Sequence, residues 1–311
     1  MNPVSESLVE RVRERCSGPV LPGEPLSKHT SLHVGGPADL MVIPWDRREL
    51  SKVLSLAREE SIPVFVLGRG TNVLFSDEGF RGIIVKLGAG FMSISELGGE
   101  IIVGAAVYLP KLLNWCSLRG LGGLEPLTMI PGSVGGSVRG NSGGRDGDIS
   151  EKLLWIRGVS LSDGRPLALN RGSINFGYRY SDIPDDFLIT EVAFGLERTS
   201  PETVRSRMRK IADYRRSSQP IGMWSAGCIF RNPPGESAGR LIEVSGCKGM
   251  REGDAVVSEI HANFIINRGK ASARDIINLI NRVREKVHRA TGFVLDAEVR
   301  IVGGGDDPQG V

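Results

Sequence analysis

Nowhere in its 311 residues does this chain hold a run of about 18 apolar residues, the length a helix needs to cross a bilayer. The N-terminus, MNPVSESLVERVRERC, is charged throughout and lacks the apolar core of a secretory signal. A soluble, cytoplasmic protein is expected. Charge of one sign is scarce too: 39 Lys and Arg against 36 Asp and Glu leave a net charge of +3, too slight to wrap a polyanion. Nucleic acid and membrane are therefore not expected partners, and no obligate protein partner is implied. The four cysteines, Cys16, Cys116, Cys228 and Cys247, lie far apart, with no CxxC pair. His29, His33, His261 and His288 are not spaced as a metal set. No metal site and reduced thiols are the expectation.

What the chain has in plenty is glycine, 41 residues, clustered in the stretches 68–70, 120–123 and 132–144. Such clusters mark backbone that turns tightly or approaches something closely. The segment VFVLGRGTNVLF sets Gly68, Arg69, Gly70, Thr71 and Asn72 directly after a strand pattern. Free backbone N–H groups there can cradle a phosphate, or the chain can simply turn; these residues alone leave both readings open. A Rossmann fingerprint is excluded, because it needs a third glycine and a helix where the β-like Val73-Leu74-Phe75 stands. The second segment, with Ile130, Pro131, Gly132, Ser133, Gly135, Gly136 and Ser137, adds hydroxyls that reach phosphate oxygens, and Asn141 follows closely. Two such loops suit a diphosphate; the alternative is a glycine turn packed on a sheet.

Periodicity places these loops in a mixed α+β frame. Residues 39–43 read as a strand, and Asp46 with Glu49 as a capping box opening a helix to about Glu60. Further strands are expected at IPVFVLG, 82–87 and 100–107, then a short helix from Pro110. Residues 152–198 are strand-rich, and Ser200 with Pro201 opens an arginine-rich helix to about Ser217. The clearest helix starts at Ser272 and Asp275, carries Ile276, Ile277, Leu279, Ile280, Val283 and Val287 on one face, and ends at Gly292. A strand, FVLDAEVRIV, should follow, with Phe293, Leu295, Ala297, Val299 and Ile301 on one side and Asp296, Glu298 and Arg300 on the other. This length fits two or three modest domains. A change in texture puts a domain boundary near 200, and the expected division is a helical segment over 1–27, a domain over 28–199 in two subdomains (28–88 and 89–199), a second domain over 200–303 and a flexible tail over 304–311.

The stretches TSLHVGGPADLMVIP, LGRGTNVLFSDEGFRGIIVKL, GLGGLEPLTMIPGSVGGSVRGNSGG, FGYRYSD, SAGCIFRNPPGESAGRLIE and VSEIHANFIIN, in this order, resemble the UDP-N-acetylenolpyruvoylglucosamine reductase family over about residues 28–302. The resemblance implies an α+β chain with a vanillyl-alcohol-oxidase-type (PCMH-type) FAD-binding fold and a C-terminal α+β substrate domain. It also implies reduction of UDP-N-acetylenolpyruvoylglucosamine to UDP-N-acetylmuramate, with FAD as cofactor and NADPH as co-substrate, in peptidoglycan precursor synthesis. By the same resemblance, residues 68–72 and 130–137, with Asn141 beside them, hold FAD, while Tyr178, Arg179, Cys228, Asn232 and Glu298 face the substrate. Gln219 and Arg231 flank that pocket in sequence. No long insertion separates Tyr180 from the helix at 201, so the chain resembles the shorter family type without a substrate-covering tyrosine loop.

Each catalytic assignment has a plainer reading on the residues alone. Arg179, between two tyrosines, reads as a solvated arginine stacked on aromatics. The resemblance makes it a bidentate partner for the enolpyruvyl carboxylate. Glu298 reads as solvent-facing, and the resemblance gives it charge or proton balance. A lone Cys228 reads as a small buried residue. Many relatives carry serine there, and a thiol, like a hydroxyl, can deliver a proton. Two other functions share some of these features: another FAD-dependent oxidase or dehydrogenase acting on an alcohol or sugar, and a noncatalytic nucleotide-binding module.

Overall fold

The computed structural model describes residues 4–303; the tail expected over 304–311 lies outside the described residues. Helices form where the apolar face and the caps coincide. In Ala273–Thr291, Ser272 and Asp275 close a reciprocal capping box, and Gly292 ends the helix with φ of 77°. Its Ile276, Leu279, Ile280, Val283 and Val287 are buried, while Ile277 is only partly so. Asp77 adds a second anchor, its carboxylate accepting from the N–H groups of Ala273 at 2.8 Å and Arg274 at 3.0 Å.

The helix Arg47–Glu59 is capped by Asp46, which accepts from the Glu49 N–H at 2.8 Å. The expected box does not close. Glu49 instead accepts from the N–H groups of Trp45 at 2.8 Å and Ser17 at 3.0 Å, which ties the N-terminal segment to this helix. Against the opposing effect of burial, these two backbone bonds and the side chains of Cys16 and Ser17 hold the Glu49 carboxyl below its ordinary pKa.

The chain gathers into two compact units. The first takes the chain up to Pro22, Asp39–Arg69 and Gly82–Tyr214. It holds a four-stranded sheet in the order Val20–Pro22, Ala38–Val42, Phe80–Val85, Val64–Val66, whose last pair is parallel. It also holds an antiparallel five-stranded sheet in the order Pro166–Asn170, Leu153–Ser160, Phe187–Phe194, Glu100–Gly104, Ile94–Leu97. Its core includes Val42, Leu54, Val85, Val103, Leu112, Val134, Ile156 and Phe194.

The second unit takes Gly23–Ala38, Gly70–Arg81 and the chain from Arg215. Residues 28–38 and 70–81, which chain order puts inside the expected FAD-binding stretch, thus pack with the C-terminal part, together with 23–27 from the expected helical segment. The chain crosses between units inside the glycine turn 68–72 and inside the helix Pro201–Ser218. The core of this unit joins Leu32, Val34 and Leu74 to Ile229, Phe230, Ile265 and the apolar face of Ala273–Thr291.

The last strand is shorter than expected. Ladder pairing is confined to Arg300–Val302, parallel to Val73–Phe75. Ahead of it stands a single bridge, Ala297 to Phe230, flanked by bonds from Arg231 N–H to Asp296 O at 2.9 Å and from Glu298 N–H to Ile229 O at 2.7 Å. Alternating burial survives where these contacts enforce it: Leu295 and Val299 are buried, but Phe293 is 37 % exposed.

Candidate active site

In the first unit the two glycine segments meet. A Cβ on Gly68 would lie 2.5 Å from Ser133 Oγ, so only glycine lets the turn after Val64–Val66 come this close. Ser133 caps the helix Val134–Arg139 through its bond from Gly136 N–H at 3.4 Å and forms a bridge with Tyr108. Much of the second loop's backbone serves the fold. Ile130 donates to Leu127 O, Val134 to Val107 O, Gly135 to Ala105 O and Ser137 to Ser133 O. Pro131 has no N–H. Among the described residues, the N–H groups of Gly68, Arg69, Gly132 and Ser133 find no acceptor in the protein.

Positive charge stands beside these donors. The Arg69 guanidinium lies 4.9 Å from the centroid of the Tyr108 ring. Lys86, which the sequence reading passed over, is held below its ordinary pKa first by burial and then by the charge of Arg69. A lysine ending the apolar run GIIVK was the signal that could have found it. An anion here relieves both the desolvation and the repulsion.

The YRYS segment is a tight hairpin in which Phe176–Gly177 pairs with Tyr180–Ser181. Arg179 sits at its tip in left-handed backbone, φ 54°. Its guanidinium donates to Gly143 O at 2.9 Å and to Asn141 O at 3.5 Å, and lies 5.2 Å from the centroid of the half-exposed Tyr178 ring. The stacked arginine of the plain reading is present, but it is also anchored by main-chain carbonyls. From Tyr180 to Pro201 the chain runs through the strand Phe187–Phe194 and the pair Glu197–Arg198.

In the second unit, Gly70 adopts φ 63°, and a Cβ there would run into the carbonyl oxygen of His29. Thr71 is half-buried. Asn72 donates from Nδ2 to Glu298 O at 3.1 Å and accepts from Arg300 N–H at 3.1 Å, which ties this end of the turn to the segment bearing Glu298. The half-buried Cys228 forms a bridge with Phe264. The segment from Cys228 to Arg231 thus runs between 263–264 on one side and 296–298 on the other. Asn263, also passed over in the sequence, locks it by accepting from Phe230 N–H at 2.9 Å and donating to Phe230 O at 2.8 Å.

The remaining candidates lie in the same unit. Asn232 commits its Oδ1 to the N–H of Ala238, capping the start of Ala238–Val244. Arg231 has its Nε buried with no partner among the described residues. Gln219 follows Pro201–Ser218, its N–H bonded to Arg215 O. The other thiols are buried, and burial pushes Cys116 up to about 12 and Cys16 up to about 11.

FAD asks for donors and cations at its diphosphate and for acceptors at its own N–H groups. The first unit offers unengaged N–H groups, Arg69 and Lys86, and the buried Asn141 Oδ1, which meets no donor among the described residues. These residues fit the cofactor. Among the described residues no group of His, Cys, Asp and Glu could hold a metal ion, and no helix is long and apolar enough to cross a membrane.

Residues 38–170 match the FAD binding domain, and residues 219–302 match the C-terminal domain of UDP-N-acetylenolpyruvoylglucosamine reductase. A reductase of that name, numbered 2, from Symbiobacterium thermophilum is 44% identical over 97% of this chain and 98% of its own length. The one from Bacillus subtilis is 37% identical over 96% and 99%. The crystal structure of the Thermus caldophilus enzyme superposes with a TM-score of 0.81 at 36% identity, covering 92% of this chain and 99% of that one. The α+β FAD-binding fold followed by a C-terminal α+β domain is therefore the fold of this chain. With relatives aligned along nearly their whole length, the chain belongs to the UDP-N-acetylenolpyruvoylglucosamine reductase family.

Proposed function

We infer that this protein reduces UDP-N-acetylenolpyruvoylglucosamine to UDP-N-acetylmuramate at the expense of NADPH, in peptidoglycan precursor synthesis. The likeness to reductases along 97% of the chain carries this reading. Bound FAD supplies the two-electron relay, taking hydride from NADPH and giving it to the enolpyruvyl double bond. Gly68, Arg69, Gly70, Thr71, Asn72 and the segment from Ile130 to Ser137 are assigned to hold it, with Lys86 beside Arg69 as a further cation for its diphosphate.

Toward the substrate, Arg179 is assigned the carboxylate. Its anchoring by Gly143 O and Asn141 O fixes a planar donor before substrate arrives, which favours oriented binding over loose ion pairing. Glu298 assists charge or proton balance at the developing intermediate, and Cys228 delivers the proton that completes the lactyl ether. Tyr178, Gln219, Arg231 and Asn232 are assigned to substrate binding. The compartment in keeping with this chemistry is the cytoplasm, with small molecules rather than nucleic acid, membrane or an obligate protein as partners. Anaerobic reduction by NADPH, then reoxidation by UDP-N-acetylenolpyruvoylglucosamine with mass analysis of the product, tests the reading. Failure of that substrate to reoxidise the enzyme, with rapid reoxidation by oxygen, would favour an alcohol or sugar oxidase.

A further inference from the structure

Asn141 is 1% exposed and sits just beyond the helix Val134–Arg139 in left-handed backbone, φ 43°. Asparagine is among the few residues with a side chain that tolerate this conformation. Its Nδ2 donates to Gly177 O at 2.9 Å. That bond fixes the amide's orientation, since turning it end over end would set two acceptors against each other. Oδ1 is therefore held away from Gly177, buried, and without a donor among the described residues. A buried acceptor left unmade is costly, and such atoms point to a missing donor.

The surroundings say which donor. Ser181 Oγ donates to Arg139 O at 2.7 Å, Asn141 Nδ2 to Gly177 O, and Arg179 to the carbonyls of Asn141 and Gly143. Residues 139–143 and 177–181 are thus knitted into one block, and that block carries the arginine assigned to the reacting end of the substrate. Hydride transfer demands the isoalloxazine ring at that end, with the adenine and ribose at the far end of the cofactor. Phosphates and ring carbonyls only accept, and besides the hydroxyls of the ribityl chain the oxidised ring itself offers one N–H, its imide.

We propose that Asn141 Oδ1 accepts a hydrogen bond from the imide N–H of bound FAD, and that the bond to Gly177 couples this contact to the segment carrying Arg179. Asn141 is then a positioning residue on two sides: it reads the cofactor ring and holds the hairpin that presents the arginine. The inference rests on the FAD-dependent function proposed above.

The test uses holoenzyme reconstituted with FAD carrying 15N at the imide and 13C-labelled asparagine in the protein. The imide N–H resonance should persist against solvent exchange, whereas that of free FAD is lost, and should show coupling across the hydrogen bond to an asparagine side-chain carbonyl. Asn141→Ala should abolish the coupling and raise the FAD dissociation constant by about tenfold, the effect of one hydrogen bond of roughly 1.4 kcal/mol. Asn141→Asp, which keeps an acceptor but loses the donor to Gly177, should keep the imide signal while raising KM for the UDP-sugar. An imide that exchanges as in free FAD, or one that is protected without coupling to asparagine, overturns the proposal in the wild-type protein alone, whatever the variants do. A protein that binds no FAD at all would overturn the functional reading instead.

Discussion

At the scale of single residues, Cys228 separates the plain reading from the catalytic one. If its thiol delivers the proton, Cys228→Ser should keep appreciable activity, and Cys228→Ala should lose roughly 10² to 10⁴-fold in the oxidative half-reaction while reduction by NADPH stays normal. Near-normal turnover by Cys228→Ala, followed in deuterated water, would make it a packing residue. Its environment also sets it apart from the other thiols. Cys16, Cys116 and Cys247 are 5%, 1% and 0% exposed, with burial raising the pKa of each, whereas Cys228 is half-buried. A disulfide reagent at pH 8 should therefore find one fast thiol in native protein, and Cys228→Ser should remove it. For Arg179, lysine keeps the charge but loses the planar fork. Arg179→Lys should slow reoxidation by the UDP-sugar by about tenfold or more, the loss of one charge-assisted hydrogen bond, and leave reduction by NADPH unchanged. Equal slowing of both steps in stopped flow would reject the carboxylate role.

At the scale of elements, local chemistry carried the sequence reading and distant partners limited it. The helix Ala273–Thr291 was legible to within a residue because its box, its apolar stripe and its closing glycine all lie inside one stretch of chain. Its second cap was not legible, because Asp77 stands far away in sequence. The same limit explains the capping box at Asp46, where Glu49 is drawn to Ser17, and the last strand, whose first half forms a single bridge, Ala297 to Phe230, with the irregular segment at Cys228 to Arg231. In the candidate site the glycine loops and the YRYS hairpin were readable as motifs. Lys86 and Asn263 were not, since a lone polar residue in an apolar run shows its meaning only through the groups packed on it. Asp77→Ala should cost about 1 kcal/mol, the worth of a side-chain cap, and lower Tm by about 2–4 °C. Adding Ser272→Ala should increase the loss less than additively if the two side chains serve the same helix end, and strict additivity in thermal scans would show them to be independent.

At the scale of the whole molecule, the response to acid should come in two stages that belong to different groups. In the second unit, His261 is held below its ordinary pKa, first by burial and then by Lys248, against the opposing pull of its own backbone hydrogen bond and Glu243. The folded state therefore binds a proton at this site later than the unfolded chain does, so stability is full above the unfolded value of about 6.5 and falls as pH drops toward the folded pKa. In the first unit, Asp186 is lowered by bonds from Ser160 and Ser162 that overcome its burial, and Glu49 by its backbone bonds to Trp45 and Ser17. Stability from these carboxyls is present above their unfolded pKa values of about 4 and is lost only below them. Tm of the wild-type protein should accordingly begin to fall below about pH 6.5, then fall further below about pH 4. His261→Asn places an acceptor near the position of Nδ1, which takes the Asn263 N–H at 3.3 Å, but cannot titrate. The variant should lose the slope that begins below about pH 6.5 and keep the loss below about pH 4. Parallel Tm curves for the two proteins across that upper window would show that His261 does not govern it.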